Sequence, residues 1–222
     1  AIDTGTLYSQ TSGNVGIGTT SPSSKLHIRS ANDQLVIEAS YGGADAKNFK
    51  VGFAPVSDPG PAHWTEFLPH RAAVKVDEVE AFADHMVVYE RENGLPKMRV
   101  IDLRNGSFHY VEFPEPVYTF SGASNPEFDA SVVRFTYNSL VSPRAVFDYN
   151  MDTKGRELKK EYEVRGGYDK AQYQSERVFA TAKDGAKIPI SIVYRKGIKR
   201  DGTEPLLLYA YGSYGATSDP NF

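Results

Sequence analysis

Cysteine is absent from the 222 residues. Without a thiol the chain has no disulfide, no thiol nucleophile and no Cys-ligated metal; this composition suits a reducing compartment, and we expect a cytoplasmic protein. No run approaches the roughly 20 consecutive apolar residues of a membrane span. The polar start AIDTGTLYSQTSG also lacks the basic-then-apolar layout of a secretion signal. We therefore expect no membrane partner.

Neither sign of charge dominates the sequence. The chain has 25 basic and 28 acidic residues, for a net charge of -3. Because nucleic acids and anionic lipids are attracted by a basic field, we expect neither as a partner. With 40% hydrophobic residues the chain can bury a core. It begins with Ala rather than Met, which we interpret as the sign of a fragment, a processed product or an excised segment.

Long amphipathic helices are missing as well. No segment sustains a 3.6-residue apolar repeat over about twelve residues, with residues 75–83 the single short exception. Short β-rich runs are separated instead by Pro, Gly, Ser and Asn, with Asn93-Gly94 and Asn105-Gly106 as turns. The predicted strands include residues 86–89, 98–101, 109–113, 132–138 and 145–149. Their spacing predicts four-stranded blades and a mainly β middle.

Residues 172–222 carry the most specific pattern. Residues 176–182 and 187–195 alternate bulky and polar side chains, with Asp184-Gly185 as a two-residue turn between them, which predicts a β-hairpin.

The apolar run Leu206-Leu207-Leu208-Tyr209 is typical of a strand buried on both faces. It leads into AYGSYG, residues 210–215, whose small residues allow a sharp turn at the carboxyl end of a strand. Ligand chemistry in α/β folds is usually found there.

These residues also resemble a known family. SERVFATAKDGAKIPISIVYRKG followed by PLLLYAYGSYG is similar to the start of the catalytic domain in the oligopeptidase B branch of the prolyl oligopeptidase family. The resemblance implies an α/β-hydrolase domain joined to a seven-bladed β-propeller, and a serine peptidase that cuts short peptides after Arg or Lys. It also implies that the Tyr211 hydroxyl is the oxyanion donor. From the residues alone, the favoured alternative is that Tyr209, Tyr211 and Tyr214 are aromatic packing at a strand end.

The middle of the chain resembles the later propeller blades of the same branch, through AKNFKVGFAPVSDPGPAHWTEFLPHR and VEAFADHMVVYERENGLPKMRVIDL. We therefore predict a partial propeller at residues 45–170 and a truncated hydrolase domain at 171–222. The nucleophilic Ser, the Asp and the His would lie outside these residues. Ser213 lacks the Gly two positions before it that a serine elbow needs, so we predict a turn residue. We expect no peptide hydrolysis by this chain alone, and no cofactor or metal.

Residues 1–44 differ in character, being rich in Gly, Ser and Thr. GNVGIGTTSPSSKLHI resembles a repeat of phage tail fibres and trimeric adhesins, which implies a β arm, with strand-like runs at residues 25–28 and 34–37. The alternative function is thus a non-catalytic structural or assembly protein. Oligomers could form through this arm or through exposed blade faces.

Other polar groups give weaker signals. Asp77, Glu78 and Glu80 either attract a basic substrate or form a solvated acidic turn. The charged stretch at residues 154–160 is predicted as a turn. The histidines lack the paired spacing of zinc sites and are interpreted as surface or structural residues, namely His63, His70, His85 and His109.

Overall fold

The computed structural model describes the backbone of residues 7–9, 15–17 and 34–39, and then residues 48–55, 57–58, 61–214 and 216–222. Regular structure in these parts is almost entirely β-strand, and the helical elements described, Pro61–His63 and Lys170–Gln172, are short 3₁₀ turns. The prediction of a mainly β chain is confirmed. Most of the predicted tail-fibre-like arm, including the run at 25–28, lies outside the described residues.

The chain forms two compact units, the first made of residues 1–91, 98–109 and 127–130. Its two smaller sheets contain β1 (Leu7–Ser9) with β2 (Val15–Ile17), and β3 (Gln34–Ala39) with β4 (Lys50–Pro55) and β5 (Thr65–Leu68). A four-stranded sheet that belongs mainly to this unit contains, in chain order, β6 (Val74–Ala81), β7 (His85–Glu92), β8 (Leu95–Asp102) and β9 (Phe108–Tyr110). The run predicted at 34–37 lies in β3.

The core of the first unit lies between its larger sheets. Apolar side chains from β4 and β5 pack against those of β6, β7 and β8. Its buried members are Val51, Leu68, Val76, Val79, Met86, Val88 and Ile101. A small sheet hides its faces only against a neighbouring sheet, which is how the blades of a propeller stabilise one another.

Residues 75–83, the short exception in the sequence pattern, do not form a helix. β6 occupies most of this stretch, with Val74 and Val76 buried and Lys75 and Asp77 more exposed. Side chains two residues apart share a face in a strand, and hydrogen bonding to β7 overrides the weak helical periodicity.

Both predicted Asn-Gly turns are confirmed. Asn93 and Gly94 connect β7 to β8 and have φ values of 50° and 76°, the positive pair that a type I′ hairpin turn requires. Gly106 also has a positive φ of 74°, and its N–H donates to the Asp102 carbonyl at 2.8 Å in the turn before β9.

The second unit contains residues 92–97, 110–126 and 131–222. Its four-stranded antiparallel sheet, called the second blade below, contains in chain order β10 (Tyr118–Gly122), β11 (Val132–Ser139), β12 (Ala145–Asn150) and β13 (Arg156–Glu161). A hairpin follows, built from β14 (Tyr173–Thr181) and β15 (Lys187–Arg195). The strands predicted at 132–138 and 145–149 are confirmed, whereas the one at 109–113 is wrong in its bounds, since β9 ends at Tyr110.

Aromatic rings fill one face of the second blade. The Phe113 ring lies 5.0 Å from Phe120, 5.2 Å from Tyr137 and 5.8 Å from Phe135 between centroids. Phe135 is fully buried and also stacks on Phe147 at 5.8 Å. Such ring pairs add about 0.5–1.5 kcal/mol each beyond their buried area. The alternating pattern of β11 therefore specifies which face of the blade is buried.

The turn predicted at residues 154–160 is largely a strand. β13 begins at Arg156 and lies at the edge of the second blade, with every residue exposed. Charged side chains on an edge strand discourage pairing with another chain. Two four-stranded sheets whose strands follow chain order confirm the predicted blades. The boundaries at residues 44 and 170 stay predictions.

Candidate functional site

The β14–β15 hairpin leads into the segment that holds the predicted site residue. It is confirmed, with Tyr173 opposite Arg195 and Thr181 opposite Lys187. The connection differs from the expected two-residue turn. Ala182 N–H donates to the Ala186 carbonyl at 2.9 Å, so the loop has three residues, and Gly185 at φ 89° supplies the positive backbone angle.

The apolar run after the hairpin is not the buried strand that the sequence predicts. Residues 206–209 form no strand. All four side chains are exposed, by 76% at Leu206, 91% at Leu207, 75% at Leu208 and 78% at Tyr209. A strand acquires its hydrogen bonds and its burial from neighbours. β14 and β15 pair only with each other among the described strands, so no sheet receives this run.

Tyr211 lies in the exposed segment beyond that run. Its side chain is 54% exposed, and its backbone is held by Ser218. The Tyr211 N–H donates to Ser218 Oγ at 3.0 Å, and that hydroxyl donates to the Tyr211 carbonyl at 3.3 Å. Tyr209 and Tyr214 are exposed as well, so the alternative of aromatic packing at a strand end is not observed. The oxyanion-donor role of Tyr211 stays a prediction.

Ser213 lies in a turn, as predicted. The Ala216 N–H donates to the Ser213 carbonyl at 3.0 Å.

The second unit contains a buried polar cluster that the sequence pattern did not predict. Glu115, whose side chain is 7% exposed, accepts hydrogen bonds from the Tyr137 hydroxyl, from Ser142 Oγ at 2.6 Å and from the Lys170 ammonium. Lys170 also donates to Ser142 Oγ at 2.7 Å. The only local sign of this cluster in the sequence was the position of Glu115 between Pro114 and Pro116. Its partners are 22 to 55 residues away in sequence, so the pattern could not identify them.

The electrostatics of this cluster favour a carboxylate. Burial raises the pKa of Glu115, but hydrogen bonds from Lys170, Ser142 and Tyr137 outweigh burial and hold that pKa below its ordinary value. Burial, followed by the bond to Glu115, raises the pKa of Tyr137 well above its usual range. The tyrosine is therefore a neutral donor to an ionised acceptor.

Ser142 and Lys170 have the separation of a Ser–Lys nucleophile and base, but the surroundings oppose that chemistry. Ser142 is 8% exposed, and its hydroxyl hydrogen is directed to Glu115. The Lys170 ammonium is paired with the same carboxylate. A nucleophile must be reachable and a base must be free to accept a proton, so the cluster is suited to holding chain segments together.

The acidic residues that were candidates for a basic substrate lie in β6, so the alternative of an acidic turn is wrong. Asp77 pairs with Lys75 and, at 3.3 Å, with Arg91. Glu80 accepts from the Tyr89 hydroxyl at 2.9 Å. Because intramolecular cations and donors already engage the carboxylates of Asp77 and Glu80, the attraction of these two groups for a basic peptide is reduced.

The histidines occupy separate environments. His63 is exposed and lies 3.1 Å from Asp58, whereas His85 is 2% exposed with its Nε2 3.5 Å from Arg104 Nη2. Among the described residues, no helix is long and apolar enough to cross a membrane.

Comparison with known proteins agrees with the two-blade architecture. The family described as "Prolyl oligopeptidase, N-terminal beta-propeller domain" matches residues 27–162. The dipeptidyl aminopeptidase BI of Pseudoxanthomonas mexicana is 41% identical over 191 residues, which cover 86% of this chain and 26% of that protein. Protease 2 of Moraxella lacunata is 33% identical over the same shares.

Solved structures give the same result. Oligopeptidase B from Leishmania major superimposes with a TM-score of 0.78 at 30% identity, over 96% of this chain and 31% of that one. The chain spans about a quarter of the length of the curated relatives it matches. The partial propeller predicted from the sequence is therefore confirmed, and the chain belongs to the prolyl oligopeptidase family, with residues 27–162 in its N-terminal β-propeller domain.

Proposed function

We propose that this chain is part of a serine peptidase that cuts short peptides after Arg or Lys. The observation that carries the proposal is the likeness to oligopeptidase B from Leishmania major, at 30% identity over 96% of this chain. In the proposed enzyme the nucleophilic Ser, the Asp and the His come from outside these 222 residues. Residues 171–222 begin the α/β-hydrolase domain, and the propeller limits access to short peptides.

Tyr211 is the residue of this chain that acts in the proposed reaction. When the serine attacks the scissile carbonyl, negative charge develops on the carbonyl oxygen, and a fixed hydroxyl donor stabilises it. The Tyr211 residue is 54% exposed, and two hydrogen bonds with Ser218 hold its backbone. Such a donor acts on the transition state more than on bound substrate.

The test is Tyr211→Phe in the full-length protein, which removes only the hydroxyl. We expect kcat for an Arg-containing peptide to fall by about 10²–10³-fold, with a much smaller change in KM. Tyr214→Phe is the matched control, since Tyr214 is in the same segment and is 102% exposed. Unchanged turnover for Tyr211→Phe rejects the assignment. A full-length protein that hydrolyses no peptide favours the structural alternative.

A second candidate activity is removal of dipeptides from a free N-terminus. It is favoured by the 41% identity to the dipeptidyl aminopeptidase BI, which exceeds the 30% identity to the oligopeptidase B from Leishmania major. The two activities are separated by blocking the N-terminus of the same peptide. An oligopeptidase cuts the blocked peptide after Arg or Lys, whereas a dipeptidyl aminopeptidase requires the free amine.

A further inference from the structure

The buried Glu115 lies where the second blade meets the C-terminal hairpin. Two of its hydrogen-bond donors, Tyr137 and Ser142, belong to the blade itself, in β11 and in the loop that follows it. The third, Lys170, comes after the last blade strand. Pro114 and Pro116 flank the carboxylate, and their fixed φ angles restrict the backbone that carries it. Glu115 is thus a hydrogen-bond acceptor with a restricted backbone, placed where the segment that follows the second blade packs against it.

Lys170 begins the 3₁₀ turn that starts the hairpin. Asp169 caps this turn by accepting from the Ala171 N–H at 2.9 Å. The end of the hairpin returns to the same turn, where the Lys196 N–H donates to the Gln172 carbonyl at 2.8 Å. The ion pair between Lys170 and Glu115 therefore ties the base of the β14–β15 hairpin to the second blade.

Phe222, at the other end of the segment that begins with the β14–β15 hairpin, contacts the second blade and Tyr168. The Tyr168 hydroxyl donates to the Val141 carbonyl at 3.0 Å, and its ring stacks on Tyr173 at 5.5 Å. The Phe222 ring meets the Tyr168 ring edge-on at 4.9 Å, and the Phe222 N–H donates to Asn138 Oδ1 at 3.3 Å. Both ends of residues 173–222 are consequently attached to the blade.

We propose that Lys170 is a positioning residue for Tyr211, acting by anchoring the hairpin to the second blade through Glu115. The inference rests on the proposed function of Tyr211. The exposed segment that carries Tyr211 lies between the two attachments, so its direction depends on where they hold it. A displacement of about 1 Å at a reacting group is enough to cost about 10²-fold in rate. Losing the Lys170 anchor therefore misdirects the hydroxyl without removing it.

The experiment compares Lys170→Met and Lys170→Arg in the full-length protein. We expect the Met variant to lose about 10- to 100-fold in kcat with KM within about twofold of wild type. The Arg variant keeps the cation and restores most of the rate. Lys183→Met is the matched control, since Lys183 is an exposed lysine in the hairpin loop. A Met variant with wild-type kcat overturns the proposal.

A double variant separates positioning from a general loss of stability. If Lys170 acts through Tyr211, adding Lys170→Met to Tyr211→Phe costs no further rate, whereas multiplied losses overturn the proposal. Hydrogen exchange of residues 206–214 supplies a readout that does not need activity. Faster exchange in Lys170→Met, restored by Lys170→Arg, is expected, and unchanged exchange overturns the anchor. A silent Tyr211→Phe variant rejects the proposed function instead, and the exchange comparison still decides the anchor.

Discussion

Arg134 and Asp148 lie directly opposite each other on β11 and β12, and the guanidinium donates to both carboxylate oxygens, at 2.6 and 2.8 Å. This two-bond arrangement is the strongest geometry for such a pair. The hydrogen bonds from Arg134 hold the pKa of Asp148 below its ordinary value of 3.8. The pair therefore reinforces the register between the two central strands of the second blade.

Asp148→Asn is expected to lower Tm by a few degrees at neutral pH. The loss is small because Arg134 is about half exposed and water screens the pair. Since the folded-state pKa of Asp148 is lowered, its contribution is present above pH 3.8 and is lost as pH falls. The Tm difference between the variant and wild type should therefore shrink between neutral and strongly acidic pH. A difference that grows on acidification would falsify this assignment.

Gly94→Ala should destabilise the chain by more than Gly106→Ala. Both glycines have a positive φ, 76° and 74°, so both variants suffer the backbone strain of a left-handed alanine, about 1 kcal/mol. A Cβ at Gly94 would also lie 3.1 Å from Pro189 Cγ and 3.2 Å from Arg177 Nη2, whereas a Cβ at Gly106 meets nothing within 4 Å. Denaturant unfolding gives the free energy of unfolding of each variant, and the difference between the two is the cost of the contacts at Gly94. Equal losses of stability would contradict this prediction, because the β14–β15 hairpin would then move away from the added Cβ at no cost in free energy.

Phe135→Ala should be among the most damaging single substitutions in the second blade. Phe135 is fully buried among aromatic rings, and its removal leaves a cavity that costs about 3–5 kcal/mol. Phe179→Ala is the control, because Phe179 is 53% exposed on the hairpin. Urea unfolding followed by tyrosine fluorescence provides the comparison. Similar losses in the two variants contradict the position of the aromatic core.

Glu115→Gln tests the buried cluster through pH. The amide cannot form the ion pair with Lys170, and we expect a loss of about 1–3 kcal/mol at neutral pH. Because the pKa of Glu115 is lowered in the folded state, the wild-type advantage is complete above the ordinary value of 4.5 and decreases below it. Glu163→Gln, at an exposed position, serves as the control. A pH-independent difference between wild type and Glu115→Gln contradicts the lowered pKa.

The sequence pattern predicted the elements that depend only on residues close together in the chain. Asn93-Gly94 needs only two residues that tolerate positive φ, and the alternation in β11 needs only one buried face. Both were therefore predictable. The run at residues 206–209 was not, because a buried strand depends on neighbours that the run itself does not specify. β6 was ambiguous for a similar reason, since its pairing with β7 decided between two weak periodicities.

The candidate site also has one part that the sequence predicted and another that it could not. Tyr211 was identified by its motif, and the motif is contiguous in sequence. The attachment of its segment depends on Lys170 and Glu115, which are 55 residues apart and carry no shared pattern. The amino-acid sequence by itself determined most of the strands, the Asn-Gly turns and the family. Only the tertiary structure decided which charges are buried together, because burial and distance are properties of the folded chain.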